Sequence, residues 1–290
     1  VSNLIEFREN TDPMDAQDCP DVFADWDGDG FPNAYEFRHG SNPHDAASRP
    51  PATIHVDASA PEGGNGSEAA PFKTIGAALV VAVDYDIVRI ADGLYAGPGN
   101  RNLRVEHRVM LKSAGGAGRC VLDTQGQGDG IVFVNVDPLT ILDGVMIRGC
   151  TDGGPAFGEA AICGWFESSP TIRNCVITRN QGLLAGAILI EGGSPTLENC
   201  VITENECLGW EGAIVCRFGA SVRVVNCTIA NNTSGGAVGG ICAPDSAPRV
   251  RNSILWGNSG AQLSGGIRDV AGCVVQGGWV VEDLDRVVSY

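Results

Sequence analysis

The sequence predicts an all-β protein built as a parallel β-solenoid, preceded by a short acidic loop-helix module. Two internal repeats and one compositional bias lead there. The phrase "RNCVITRN" (173–180) returns as "ENCVITEN" (198–205), "VNCTIANN" (225–232) and "RNSILWGN" (251–258), at an interval of about 26 residues. A weaker copy, "DGVMIRGC", sits at 143–150. Between these phrases runs a second echo, "AAIC" at Ala160, "GAIL" at Gly186, "GAIV" at Gly212 and "GGIC" at Gly239. The bias is 40 glycines with only 6% aromatic residues, which suits many turns and small packing residues.

Each period therefore holds at least two short apolar strands bounded by Gly, Asn, Ser and Pro, with no helical periodicity between them. One such repeat cannot bury its own apolar face. Stacked turns about 4.8 Å apart can, and that is the geometry of a parallel solenoid. A propeller blade needs a longer repeat with four antiparallel strands, and a leucine-rich repeat carries its own leucine and asparagine pattern.

Composition sets further bounds. A chain of 290 residues with 43% hydrophobic content is long enough for about two domains and a sizeable core. Its net charge of -16 opposes nucleic acid and repels acidic polysaccharides unless a divalent cation bridges them. No run of eighteen apolar residues occurs, so no membrane insertion is expected. The longest apolar block, Ile75 to Val83, is too short to span and lies too far from Val1 for a signal peptide.

The repeated residues read first as scaffold. Asn174, Asn199, Asn226 and Asn252, and again Asn180, Asn205, Asn232 and Asn258, are expected to stack as amide ladders in turns rather than as a sugar-binding ridge. Cys175, Cys200 and Cys227 share one repeat position and should stack inward as free thiols, because strand spacing exceeds the usual Cβ separation of a disulfide. Cys19, Cys120, Cys150 and Cys207 are left able to pair in an oxidising compartment. Glu191 and Arg217 share a repeat position next to Trp165, Glu159 and Glu211 share another, and a solvated Glu191–Arg217 ion pair is expected. Trp165, Phe166, Trp210 and Phe218 offer aromatic surface for sugar rings. A glycan-binding face would draw on Trp165, Glu191, Trp210 and Arg217.

The strongest chemical signal is "DWDGDGFPNAYEF" (25–37). Asp25, Asp27 and Asp29 fall at positions one, three and five of a twelve-residue loop, and Gly30 permits the sharp turn at six. Phe31 offers its carbonyl at seven, Asn33 stands at nine, and Glu36 at twelve can close the site with two oxygens. So many hard oxygen donors suit calcium, not zinc or copper. About thirty residues upstream, Asn3, Glu6, Phe7, Arg8 and Pro13 match the second half of this module, so the chain reads as starting partway through an earlier copy. Asp12, Asp15, Asp18 and Asp21 are candidates for a second ion. "SRPPAT" (48–53) is a stiff linker, which sets a module at 1–50 and a solenoid at 51–290.

Two resemblances follow from these phrases. "IHVDASAPEGGNGSEAAPFKTIGAALVVAVDYDIVRIADGLY" and "RNSILWGNSGAQL" resemble the right-handed parallel β-helix proteins of the pectin-lyase-like group, over roughly Ile54 to Gly278. That resemblance implies an entry strand, a capping helix near 72–83 and a right-handed column, and it is typical of large bacterial surface and secreted proteins. It does not imply a reaction, since the fold hosts lyases, hydrolases, adhesins and structural proteins. The paired aspartates and "GHG" phrase of its hydrolases are missing from the repeats, and no catalytic residue is assigned.

"GSNPHD" (40–45), following the alternating aspartates, resembles the calcium-binding repeats of thrombospondin type 3 and dockerin-like segments over Val1 to about Pro50. The expectation is a non-enzymatic, extracellular or cell-surface protein on a calcium-stiffened arm, with a structural, adhesive or filament-forming role. The exposed-end phrase "VVEDLDRVVSY" (280–290) would promote self-association. A polysaccharide lyase or hydrolase, or a non-catalytic glycan-binding protein, is the alternative.

Overall fold

The computed structural model describes residues 20–151, 160–267 and 269–277. The chain divides into two compact units, Val1–Ala52 and Thr53–Tyr290. The second unit is a parallel β-solenoid of about seven turns, as its repeats predict. Its strands stack into three long sheets of nine, eight and seven strands, called here sheets 1, 2 and 3, with a three-stranded strip beside them. One turn runs Thr171–Arg173 in sheet 1, Val176–Thr178 in sheet 2, Gln181–Gly182 in the strip and Ile188–Glu191 in sheet 3. The chain then re-enters sheet 1 at Thr196–Glu198. Every pairing between these strands is parallel.

Strands of three or four residues suffice because only one or two residues of each must reach the core. Leu142, Ile172, Leu197, Val224 and Val250 follow one another in register up sheet 1, all buried. Ile147, Ile177, Ile202, Ile229 and Leu255 do so in sheet 2, and Ile162, Ile188, Ile214, Ile241 and Leu263 in sheet 3. β-branched and aliphatic side chains stacked at the strand spacing fill the interior.

The two asparagine series have different tasks. The leading series occupies a left-handed corner between sheets 1 and 2, with φ of 55° at Asn174, 52° at Asn199, 54° at Asn226 and 49° at Asn252. Glycine takes the same corner at each end of the run, Gly144 and Gly272 with φ of 75° and 64°. Asparagine and glycine are the residues that enter this region at least cost, so the repeat is a backbone requirement. The expected ladder is thin here: Asn199 Nδ2 lies 3.4 Å from Asn174 Oδ1.

The trailing series is a true ladder. Asn180 Nδ2 donates to Asn205 Oδ1 at 2.9 Å, Asn205 to Asn232 at 2.9 Å, and Asn232 to Asn258 at 2.8 Å. Each Nδ2 also donates to a core carbonyl, of Ile147, Ile177, Ile202 and Ile229 in turn. Each Oδ1 additionally accepts a backbone N–H from the turn below, beginning with Cys150. The ladder ends on Gln262, whose Oε1 accepts from Asn258 at 2.6 Å. All four asparagines are buried, so the network leaves little unpaired where an unpaired group would be costly.

Cysteine follows the corner asparagine because the position just before each sheet 2 strand is enclosed. The thiols of Cys175, Cys200 and Cys227 donate back to the carbonyls of Arg173, Glu198 and Val225 at 3.1, 3.3 and 3.2 Å. Ser253 takes the next rung and Cys273 the one after. The ten cysteines among the described residues are all free. Cys120, Cys150 and Cys207, candidates for pairing, are therefore buried thiols instead, and burial pushes the Cys120 and Cys150 thiols up to about 12. Cys19 lies outside the described residues, as do Asn3, Glu6, Asp12, Asp15, Asp18, Glu159 and 280–290.

Helix α1 spans Asn33–His39 and α2 spans Ile75–Val81. The second is the expected cap, shorter than 72–83. Thr74 is extended and accepts from Ala77 N as an N-cap, and Ala82 has already left helical geometry. Buried Asn100 adds an acceptor for Ile75 N at 2.9 Å, and Ile75 and Ala78 face the core.

On the outer face of sheet 1, Asp143 gathers Lys112 Nζ at 2.8 Å, Arg173 Nη2 at 3.1 Å and Asn174 Nδ2 at 2.7 Å. Burial alone would raise its carboxyl. The Arg173 charge, the Asn174 amide and Lys112 together outweigh it and hold the group below the usual carboxylate range.

Two stability tests follow. Asn205→Ala strips acceptors from Asn180 N and Nδ2, and should cost about 3 kcal/mol in urea unfolding; Asn258→Ala, near the ladder end, should cost less. Asp143→Asn should cost about 3 kcal/mol by leaving two cations uncompensated. Because the folded pKa of Asp143 is depressed, its contribution is present above the unfolded carboxylate pKa and lost as pH falls through the folded one. The gap between wild type and Asp143→Asn in a thermal melt should therefore close on acidification.

Candidate metal centre

The acidic loop of the first unit is held by its own backbone. Asp25 receives Gly28 N on Oδ1 and Gly30 N on Oδ2, both at 2.9 Å. Asp27 Oδ1 accepts from Asp29 N at 3.1 Å, and Asp29 Oδ1 from Phe31 N at 2.9 Å. These bonds draw the three carboxylates toward one point: one oxygen of each lies within 4.8 Å of the others. Oxygens bound to a common calcium at 2.3–2.6 Å can be no farther apart than about 5 Å, so the spacing fits.

Helix α1 brings the fourth carboxylate. Glu36 stands in its first turn, fully buried, with Ser41 Oγ 3.3 Å from Oε1. Gly40 closes the helix in the left-handed region, its N–H donating to Glu36 O at 2.7 Å. Phe31 and Tyr35 are buried beneath, and Trp26 stacks on His44 with ring centroids 4.7 Å apart while meeting Phe37 edge-on. The "GSNPHD" segment, through His44, thus braces the loop.

The oxygens that the backbone leaves over point to a cation. Asp27 Oδ2, Asp29 Oδ2 and Glu36 Oε2 are each buried with no hydrogen-bond partner. Three uncompensated carboxylate oxygens in one enclosed place are costly unless a positive charge joins them. Arg49 supplies part of one, its Nε 3.4 Å from Asp29 Oδ2, from a largely exposed side chain. Glu36 is pushed up to about 7, first by burial and then by Asp27 and Asp29; Asp29 is raised by burial as well, against the Phe31 N–H. An all-oxygen donor set suits a hard divalent ion, and calcium above others for its tolerance of crowded, flexible shells.

Asn33 is used differently from its loop number. It is buried, its Oδ1 accepts from Trp26 N at 3.3 Å and its Nδ2 donates to Asp21 O at 2.7 Å, so both amide atoms tie the loop to α1. Asp21 itself caps a local turn, accepting from Phe23 and Ala24 N–H.

The residues set aside for glycan binding flank sheet 3. Its outward side carries a second apolar cluster, Val132, Cys163, Leu189 and Val215, against which Trp165 packs half-buried. Glu191 is in register with Arg217 as expected, yet the close ion pair of Arg217 is with Glu211, at 2.6 Å, from the loop preceding its strand. That loop reaches over Val215, a fold-back that strand register alone does not reveal. Glu191 adds its charge to the same guanidinium. Trp210, on this loop, is 85% exposed and belongs to the opposite end of the strand from Phe218.

Replacing Glu36 by Gln, or Asp29 by Asn, should weaken calcium binding about tenfold or more while leaving the far-ultraviolet spectrum of the solenoid intact. Terbium luminescence sensitised by Trp26 provides the readout, with calcium as competitor.

Comparison with known proteins bears on the second unit. A family model described as "Right handed beta helix region" matches residues 114–275, more than half of the chain. Among solved structures, the crystal structure of pectate lyase Pel9A is similar at a TM-score of 0.47, with 14% sequence identity over 78% of this chain and 69% of that one. No curated protein matches the chain. The parallel stacking of its sheets and this match together place the chain in the right-handed β-helix family.

Proposed function

We propose that this protein is a calcium-stabilised β-helix of the cell exterior, with a structural or adhesive role, whose front module is a spacer that calcium makes stiff. The observation that carries the reading is the set of buried oxygens of Asp27, Asp29 and Glu36 that accept no hydrogen bond, of which only that of Asp29 meets a cation, Arg49. Without a cation these groups repel and little apolar surface holds the segment together; with one, loop and helix lock. Calcium is abundant outside cells, which is why the exterior is the fitting compartment. Self-association would use the strands last in each sheet order, Ala261–Gly265, Asp269–Ala271 and Val274–Val275, as edges for a second copy.

A glycan-binding reading has one specific observation in its favour. Phe166 and Phe218 are 70% and 68% exposed, and both occupy the left-handed region, with φ of 54° and 55°. Bulky residues seldom do so without a use for the position. Loss of glycan retention in Phe218→Ala or Trp210→Ala would establish this role. Release of reducing ends or unsaturated uronates from a polysaccharide panel would instead establish catalysis.

Limited proteolysis tests the main proposal. With calcium, the segment 20–52 should resist cleavage; with a chelator it should be cut within minutes while the solenoid survives. Equal resistance in both conditions would remove calcium from the account.

A further inference from the structure

The outer face of sheet 1 departs from the character of the whole chain. The protein carries a net charge of -16, yet this face bears Arg89, Lys112, Arg173, Arg223, Arg249 and Arg251 against three acids, Asp143, Glu198 and Asp269. Around Asp143 the balance is local, since Lys112 and Arg173 close on it, whereas exposed Arg89 stands opposite Lys112. In the later turns it fails. Arg223 and Arg249 stand directly opposite one another on neighbouring strands, about 4.8 Å apart in backbone spacing. The acid next in register, Asp269, is taken by Arg251 Nη2 at 2.5 Å.

Among the described residues, Arg223 and Arg249 have no ion pair, and both are exposed. Like charges placed opposite each other across a strand pair are destabilising. Here they and Arg251 line a groove of about 310 Å³ whose one apolar wall is Val225. That volume is at the lower end of ligand-sized sites.

We propose that this groove binds a sulfate ester group carried on a polysaccharide. Three guanidinium forks approach from two adjacent strands and both outward columns of the sheet. A tetrahedral sulfate ester presents three terminal oxygens and can accept from all three, whereas a planar carboxylate matches one fork. The groove holds no lysine, and its nearest acid is already paired, so no metal-bridged carboxylate is accommodated. It has no aromatic side chain on which a base could stack, and the overall negative charge repels a continuous polyanion such as duplex DNA. At physiological ionic strength charge is screened over about 8 Å, so a local cationic groove acts despite the distant acidic surface. The open sheet face lets sugar rings lie along the rungs with Val225 beneath one of them.

The test uses the full chain and three probes: dextran sulfate, polygalacturonate and neutral dextran, with duplex DNA as a fourth. Dextran sulfate should bind, and binding should fall at least about tenfold in R223Q/R249Q. That double variant should fold as well as wild type, because it relieves a repulsion, and its melting temperature reports this. The same charge change at a distance, R119Q/R179Q, should leave affinity within about twofold. Tighter binding of polygalacturonate or DNA than of dextran sulfate would overturn the proposal. So would equal retention of neutral dextran, no binding of dextran sulfate, or an equal loss in the two double variants.

Discussion

Parallel stacking at a fixed rise places every residue against its counterpart one turn away, and the rest of the solenoid is a response to that constraint. Whatever occupies a position must tolerate its own kind as neighbour. Aliphatic side chains do so readily, which fills the interior. Amides do so better than most polar groups, since each carries a donor and an acceptor and can serve the turn on either side. Thiols manage by donating to the carbonyl two residues back. Charges do so worst, and the outer face of sheet 1 shows both outcomes: a compensated triad around Asp143 and an uncompensated arginine pair on the two strands before the last.

Much of this was legible before any coordinates. The interval of the repeats and the triplets within it give the strands, the corners and the inward residues, because a solenoid translates sequence period directly into register. The gathering of the acidic loop was legible for the same kind of reason: alternate positions in such a tight loop are fixed by its turns, and Asp25, Asp27 and Asp29 bring one oxygen each within 4.8 Å of the others. Two identical-looking asparagine series were harder to separate. One answers a backbone angle and the other a buried hydrogen-bond deficit, and the letters alone do not distinguish them.

The partner of Arg217 and the cationic groove were missed for a different reason. Glu211 arrives from a loop that folds back over sheet 3, and loop paths do not follow from strand register. Arg223, Arg249 and Arg251 fall where other turns carry threonine, glutamate or aspartate, so they look like drift in a repeat. Arranging outward residues by column rather than along the chain would have exposed the stacked pair. Asn33 illustrates the remaining gap: position nine marks a potential ligand, but the same amide suits a strut, and only its two backbone bonds decide.

The meeting of Asn258 with Gln262 has an evolutionary corollary. Every lower asparagine hands its amide proton upward to another turn, whereas this one hands it to a side chain four residues further along the same turn, and Gln262 donates back to the Asn258 carbonyl. The chain of amides is thereby punctuated. A duplication that lengthened the column beyond this point would have to rewrite Gln262 before a new asparagine could join, so the glutamine fixes how many turns the amide column can count.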